Sequence, residues 1–392
     1  MADTTTTALG LTKPQIGASE NTWGEKINTN MDLIDAVLDD YPTTGSLSNR
    51  SLIINGAMNV AQRGTSATGV NSDNFTCDRF KSVIAAGTIG AYTISQDADA
   101  PSGFANSLKL ETTIANASPI AAAYNVLFYT FEGQDVQRLG KGTADAQQAT
   151  LSFWVKSNKT GTYQVNLADT GNARIVGSTY SVAVSGTWEK KTITFPADTV
   201  GAVADDNLGT MNIEWWLDSG TDWSSGATPT AWETTADTDR NAGSNVNLAD
   251  TVGNYIQITG VQMEVGDTAT PFENRSYAQE LTACQRYYEV DNPSTPTSFA
   301  GSIAAQAYHP TNGTGNPLNR DGPFQPYKVD KRASATVTTY AYNGTSGAAS
   351  PITNAGTDTN VQVRATTTGF QLSSSTYRAL HVWFAWAADA EL

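Results

Sequence analysis

The hydrophobic period of this chain changes once, near residue 50, and no single type of secondary structure satisfies both sides of the change. Before it, apolar residues stand at Trp23, Ile27, Met31, Ile34 and Leu38, with spacings of 4, 4, 3 and 4. That heptad-like rhythm draws one stripe along a helix. After it, Leu151, Phe153 and Val155 alternate with Ser152, Trp154 and Lys156. Met211, Ile213, Trp215 and Leu217 likewise share one face and leave Glu214 and Trp216 on the other. A period of two sends successive side chains to opposite faces of a sheet. The chain is therefore a short helical leader followed by a β-rich body.

In the leader, residues 1–50, the stretch 10–18 reads as an extended arm because Pro14 fixes its own φ and restricts Lys13. Thr22 and Glu25 have capping-box spacing, and Pro42 and Gly45 stop the helix. A helix of about five turns is too small to stand alone in water. Its stripe packs on the body, on sister helices or on a socket, and its place outside the β body favours the last two.

The body, residues 51–289, repeats the two-residue period. Tyr180, Val182 and Val184 form one run, and Ile193 and Phe195 share a face after Trp188. Ile256 and Ile258 point one way; Val261, Met263 and Val265 resume after a slip at Gly260, which predicts a β-bulge. Many strands separated by Gly, Asn, Asp and Ser turns indicate a mainly β fold, an antiparallel jelly-roll sandwich. Residues 277–289 favour a short helix around Leu281, Cys284 and Tyr288 that closes the body. Asn292-Pro-Ser-Thr-Pro-Thr297 reads as a linker. A small C-terminal β domain, 290–392, follows: Val361 and Val363 alternate, Asn343-Gly344 suits a hairpin, and Leu380, Val382, Phe384 and Trp386 make the last strand.

Charge excludes several functions. The net charge is −15, from 23 Lys and Arg against 38 Asp and Glu. Residues 198–250 hold 10 acidic groups and a single base, Arg240, a surface that repels phosphate backbones, so no nucleic-acid partner is expected. It serves either as a solvated surface or as a cation-binding one. No run of about 18 apolar residues exists to enter a membrane. The N-terminus lacks the basic start and apolar centre of a secretory signal, so the expectation is synthesis in a cytoplasm and arrival at any exterior by another route, such as being part of a particle. Cys77 and Cys284 form no framework and are expected as buried free thiols.

With only His309 and His381 present, a His-dependent triad or His-rich zinc site is not expected. No phosphate-binding loop or dinucleotide fingerprint occurs. Asp205, Asp206, Asp218, Asp222, Glu233, Asp237 and Asp239 are the available material for a glycosidase pair, but the expectation is a protein without enzymatic activity or cofactor. The same region reads better as a glycan-binding surface. Trp216 falls on the face opposite the inferred core, and Trp223 and Trp232 lie in turn-like segments. Exposed indoles stack on the apolar faces of sugars while Asp218 and Asp222 accept from hydroxyls; the alternative is that all three indoles pack at the sandwich edge or under a loop. Asp218 and Asp222 are also weak candidates for a structural calcium ion.

Several motifs carry a family resemblance. Gly10-Leu-Thr-Lys-Pro14 with Thr22-Trp-Gly-Glu-Lys-Ile-Asn-Thr-Asn-Met-Asp-Leu-Ile-Asp35 resembles the N-terminal segment of tailed-bacteriophage fibre proteins. Leu52-Ile-Ile-Asn-Gly-Ala-Met-Asn-Val-Ala-Gln-Arg-Gly64 and Cys77-Asp-Arg-Phe80 resemble the opening of the carbohydrate-binding-like jelly roll in such fibres. Thr259-Gly-Val-Gln-Met-Glu-Val-Gly266, Pro271-Phe-Glu273 and Glu280-Leu-Thr-Ala-Cys-Gln-Arg-Tyr-Tyr288 resemble its closing strand and following helix, and Trp386-Ala-Ala-Asp-Ala-Glu-Leu392 its ending. The resemblance implies a virion tail component, a homo-oligomer and specifically a trimer, that attaches to other tail or baseplate proteins through its N-terminus. It also implies adhesion to host-surface glycan. A purely structural connector and a polysaccharide depolymerase are the other classes left open.

Overall fold

The computed structural model describes residues 4–5, 11–13, 21–38, 49–85, 89–291, 306–308, 320–340, 346, 348–351, 359–360, 362–374 and 381–392. Pro14, Pro42, Gly45, the 292–297 linker, His309, Asn343-Gly344, Val361 and Leu380 lie outside them. In the leader, β1 (Thr4–Thr5) pairs with β2 (Thr12–Lys13), and α1 spans Trp23–Leu38. Asn30 on α1 holds the arm by accepting from the Thr12 N–H at 2.7 Å and donating to its carbonyl at 3.0 Å. The apolar stripe does not pack on the body: Trp23, Ile27 and Met31 are exposed and Ile34 is half-buried. The Leu38 side chain is outside the described set. No helix among the described residues is long and apolar enough to cross a membrane.

The body begins with β3 (Ser66–Val70), β4 (Asn74–Phe75), β5 (Phe80–Ala85), β6 (Ala91–Asp97), β7 (Ser107–Ile114) and β8 (Tyr124–Glu132). It continues with β9 (Ala149–Ser157), β10 (Gly161–Asp169), β11 (Arg174–Val182), β12 (Glu189–Phe195), β13 (Gly209–Ser219), β14 (Glu233–Thr234) and β15 (Tyr255–Val265). These strands form two antiparallel sheets, ordered β14-β11-β10-β13-β8-β5-β4 and β12-β9-β15-β7-β6-β3. The protein is mainly β, with a jelly-roll-like sandwich as its body. Alternating residues from both inner faces, among them Phe80, Tyr129, Phe153, Tyr163, Trp215 and Met263, meet in one continuous core. The slip at Gly260 is a register shift between β15 and β9. Gly260 takes φ +60°, and a Cβ there would lie 2.7 Å from the Phe104 ring. The Tyr180 run ends sooner than its alternation suggests: β11 stops at Val182 and Val184 is exposed, because Glu189 accepts from the N–H groups of Ala183 and Val184 and turns the chain.

α2 spans Tyr277–Gln285, capped reciprocally by Ser276 and Gln279, and β16 spans Tyr288–Val290. The C-terminal strands are β17 (Gln306–Tyr308), β18 (Arg320–Pro326), β19 (Thr336–Tyr340), β20 (Ala348–Pro351), β21 (Thr359–Asn360), β22 (Gln362–Ala365), β23 (Gly369–Ser374), β24 (His381–Trp383) and β25 (Ala385–Asp389). β25 lies between β16 and β19, so the boundary drawn at residue 289 from the sequence runs through a sheet. Phe370, Phe384, Trp386 and Tyr327 form a second small core.

Buried charge welds this C-terminal unit to one end of the sandwich. Arg79, itself 2% exposed, donates to Glu391 at 2.5 Å and to the Thr130 carbonyl at 2.6 Å, and stacks 3.5 Å from the Tyr287 ring centroid. Arg63 stacks 3.5 Å from Tyr288 and pairs with Asp389 and Glu391. Arg286 grips Glu132 with two bonds of 2.9 and 2.7 Å, and Lys331 pairs with Glu289, both fully buried. The join at Ser51 is fixed at the same end, where Glu273 accepts from the Ser51 N–H and Glu280 from the Asn55 N–H. Cys77 and Cys284 are free and buried. Among the described residues, neither attachment reaches the opposite end, where β8 begins at Tyr124. Eight residue steps along β8 separate Tyr124 from Glu132, about 26 Å at 3.3 Å per residue.

Candidate functional site

The outer face of the seven-stranded sheet carries Gln164, Asn166, Glu214 and Trp216, each at most 1% exposed. Their side chains point away from the core, as strand alternation requires, yet they are buried. The cover is a strap, residues 220–245, folded back across β11, β10 and β13. Its backbone is bound by the face it covers: Gln164 donates to the Asp239 carbonyl at 2.9 Å and accepts from the Gly243 N–H at 2.7 Å. Asn166 donates to the Arg240 carbonyl at 2.7 Å, and the Gly177 N–H to the Pro229 carbonyl at 2.6 Å. A Cβ at Gly177 would lie 2.4 Å from the Asn166 amide oxygen on the neighbouring strand and 3.3 Å from Pro229 of the strap.

This burial corrects the expectation for Trp216. It is 1% exposed, donates its indole N–H to Glu214 at 3.1 Å, and cannot stack on a sugar. It instead forms the floor beneath Trp223, whose ring centroid lies 5.6 Å away. Trp223 is half-buried; its indole N–H donates to the Ala122 carbonyl at 3.1 Å, which fixes the ring. Tyr124, also half-buried, packs edge-on to Trp223 at 4.6 Å. Arg240 sits 5.5 Å from both indole centroids and is bound by Glu214 and, at 3.4 Å, by Asp237. Burial alone would lower the Arg240 pKa, but Glu214 and Asp237 outweigh it and hold the guanidinium above its ordinary value. Beside this group, on the outer face of β8 and β5, Phe128, Val83 and Lys81 are half-buried near Phe75.

The other expected residues go elsewhere. Trp232 is half-buried against the main core; its N–H donates to the Pro196 carbonyl at 2.7 Å and Lys141 lies 5.0 Å from its ring centroid. That ring belongs to a clamp in which Lys141 pairs with Asp169 and Asp198, and Arg174 grips Asp198 at 2.7 and 2.8 Å. Asp218 turns inward past a bulge, is 1% exposed, and accepts from the Ala249 N–H at 3.2 Å. Burial pushes its carboxyl up to about 7. Asp222 is exposed on the strap. No group of three or more His, Cys, Asp or Glu placed to hold a metal occurs among the described residues.

The arrangement therefore offers a wall of two fixed aromatic rings, Trp223 and Tyr124, buttressed by a neutralised Arg240 and flanked by carboxylates. Of the three indoles named from the sequence, Trp223 is the one on this wall; Tyr124 and Arg240 were not named as site residues. The one base within an acidic stretch was the available signal for Arg240; no local signal marked Tyr124.

No protein-family model matches the chain, and neither does any curated protein. Solved structures resemble it at low identity. The enzymatically active domain of tailspike protein 4 from bacteriophage CBA120 matches with 14% identity and a TM-score of 0.28, over 55% of this chain and 21% of that one. A family 11 carbohydrate-binding module from Clostridium thermocellum, in complex with a β-1,3-1,4-mixed-linked tetrasaccharide, matches with 9% identity and a TM-score of 0.26, over 53% of this chain and 99% of the module. A family 4 carbohydrate-binding module matches with 12% identity and a TM-score of 0.26, over 54% and 97%.

Proposed function

We propose that this chain is a bacteriophage tail-fibre subunit that holds the virion through residues 1–50 and binds host-surface glycan with its sandwich. The observation that carries the reading is the Trp223–Tyr124 wall. Two rings are held rigid by their own packing, half-open to solvent, at the sandwich end away from the Ser51 join and the C-terminal weld. A rigid aromatic face binds the apolar C–H face of a sugar ring without ordering new side chains, and nearby carboxylates accept from hydroxyls. Each contact is weak, so useful affinity comes from several copies on one particle. The exposed stripe of Trp23, Ile27 and Met31, with Ile34, supports assembly through the leader as a homotrimer or in a socket of a tail or baseplate protein. The role assigned is adhesion, without chemistry on the glycan.

The test is host adsorption by phage particles carrying Trp223→Ala and Tyr124→Ala. Adsorption is lost while particles assemble normally. Unchanged adsorption would make the chain a connector, and release of oligosaccharides from host polysaccharide by the purified protein would make it a depolymerase. Substituting Ile27 and Ile34 with Asp tests the leader separately: the β body stays soluble and is absent from particles.

A further inference from the structure

The charges around the Trp223–Tyr124 wall select among glycans, a refinement that rests on the glycan-binding reading above. Both cations at the wall are already committed. Arg240 is bound to Glu214 and Asp237, and Lys81 lies 2.9 Å from Asp73. The charges felt by the Tyr124 hydroxyl are Arg240 on one side and Asp73, Glu214 and Asp237 on the other. With Lys81 and exposed Asp222 included, the wall carries two positive and four negative groups, an excess of two negative.

The fully buried Glu214 keeps Nε and Nη2 of Arg240, so an anionic sugar would have to displace Asp237 from Arg240 Nη1 or Asp73 from Lys81. Either exchange sets the anion beside the displaced carboxylate where negative charge is already in excess. A neutral sugar meets no such barrier. Asp73 and Asp237 keep 49% and 63% of their side chains exposed, so they have oxygens free to accept from hydroxyls. We infer that the wall takes neutral, hydroxyl-rich glycans and excludes polysaccharides bearing uronate, sialate or phosphate.

The purified full chain is applied to an array of neutral and acidic bacterial polysaccharides. Binding is confined to neutral spots, falls about tenfold or more in Trp223→Ala, the loss of roughly one good contact, and changes less than about twofold between roughly 50 and 300 mM salt. Asp237→Asn and Asp73→Asn, which leave the aromatic rings untouched, weaken neutral binding, and Asp237→Lys admits acidic spots. Binding to acidic spots by the unmodified chain, lost in Trp223→Ala, overturns the charge selection and leaves the glycan-binding reading standing. Binding to no spot, or binding indifferent to Trp223, overturns both.

Discussion

Glu391→Gln isolates the weld that fixes the C-terminal unit to the sandwich. The Glu391 carboxylate is 5% exposed and lies 2.5 Å from Arg79, whose side chain is 1% exposed. Without that charge, Arg79 keeps the Thr130 carbonyl and the rings of Tyr287 and Tyr129, and its Nε has no partner already. Removing one member of a buried pair costs about 3–5 kcal/mol, because the other charge stays buried without compensation. Glutamine still accepts one hydrogen bond, so the lower value, about 3 kcal/mol, applies. At about 2–4 °C per kcal/mol for a unit of this size, the melting temperature falls by roughly 6–12 °C. Asp389→Asn is the control: that carboxylate is 45% exposed, and Arg63 keeps its stack on Tyr288, so the cost stays below about 1 kcal/mol. Calorimetry and urea titration measure both variants. Combining Glu391→Gln with Arg79→Met should cost less than the two single changes added together, since the double variant buries no lone charge. Equal melting temperatures for Glu391→Gln and Asp389→Asn, or strict additivity in the cycle, would refute the assignment of the joint to buried charge.

Three further outcomes follow from the same physics. Asp218 has its folded pKa raised to about 7, so between about pH 4 and pH 7 the native state holds a proton that the unfolded chain has lost, and stability declines as pH rises through that window. Asp218→Asn should remove that decline and gain up to about 4 kcal/mol at pH 8 relative to pH 4; parallel urea midpoints for the two proteins across pH would count against it. Gly260→Ala forces a left-handed backbone onto alanine and a Cβ against Phe104 and Trp154, so it should destabilise by about 1–3 kcal/mol in urea, and an unchanged midpoint would show that the bulge relaxes. Lys331→Met leaves Glu289 buried with the Lys328 N–H as its remaining partner among the described residues, for a loss of about 3 kcal/mol, whereas Lys331→Met with Glu289→Leu should recover most of it.

The period of two identified the strands well wherever both neighbours along the chain obeyed it. Leu151, Phe153 and Val155 are fully buried, and the phase slip at Gly260 is a register shift. Trp216 shows what that signal lacks. Alternation sends it off the core and leaves open whether solvent or another segment covers it. The strap buries it through hydrogen bonds between Gln164 or Asn166 and residues 74 to 79 positions away, and no local pattern encodes them. Val184 failed for the opposite reason, since its turn is set by Glu189, five residues on.

The motifs singled out from the sequence were legible as motifs while their physical purpose was not. Gln62-Arg63, Asp78-Arg79, Arg286-Tyr-Tyr288 and Glu391 include partners 328 positions apart, Arg63 and Glu391, yet they meet at the joint between sandwich and C-terminal unit, with Glu280 at the Ser51 join beside them. Their chemistry explains why they stand out from a Thr- and Gly-rich background. A joint made of apolar side chains can be assembled from many sequences, whereas a buried guanidinium demands a carboxylate, a carbonyl and an aromatic face in fixed positions. Such positions constrain how the body ends and how β16 enters the sheet of β25, and they leave the Trp223–Tyr124 end free. Substitutions at the motifs should therefore act on stability, and substitutions at the far end on binding.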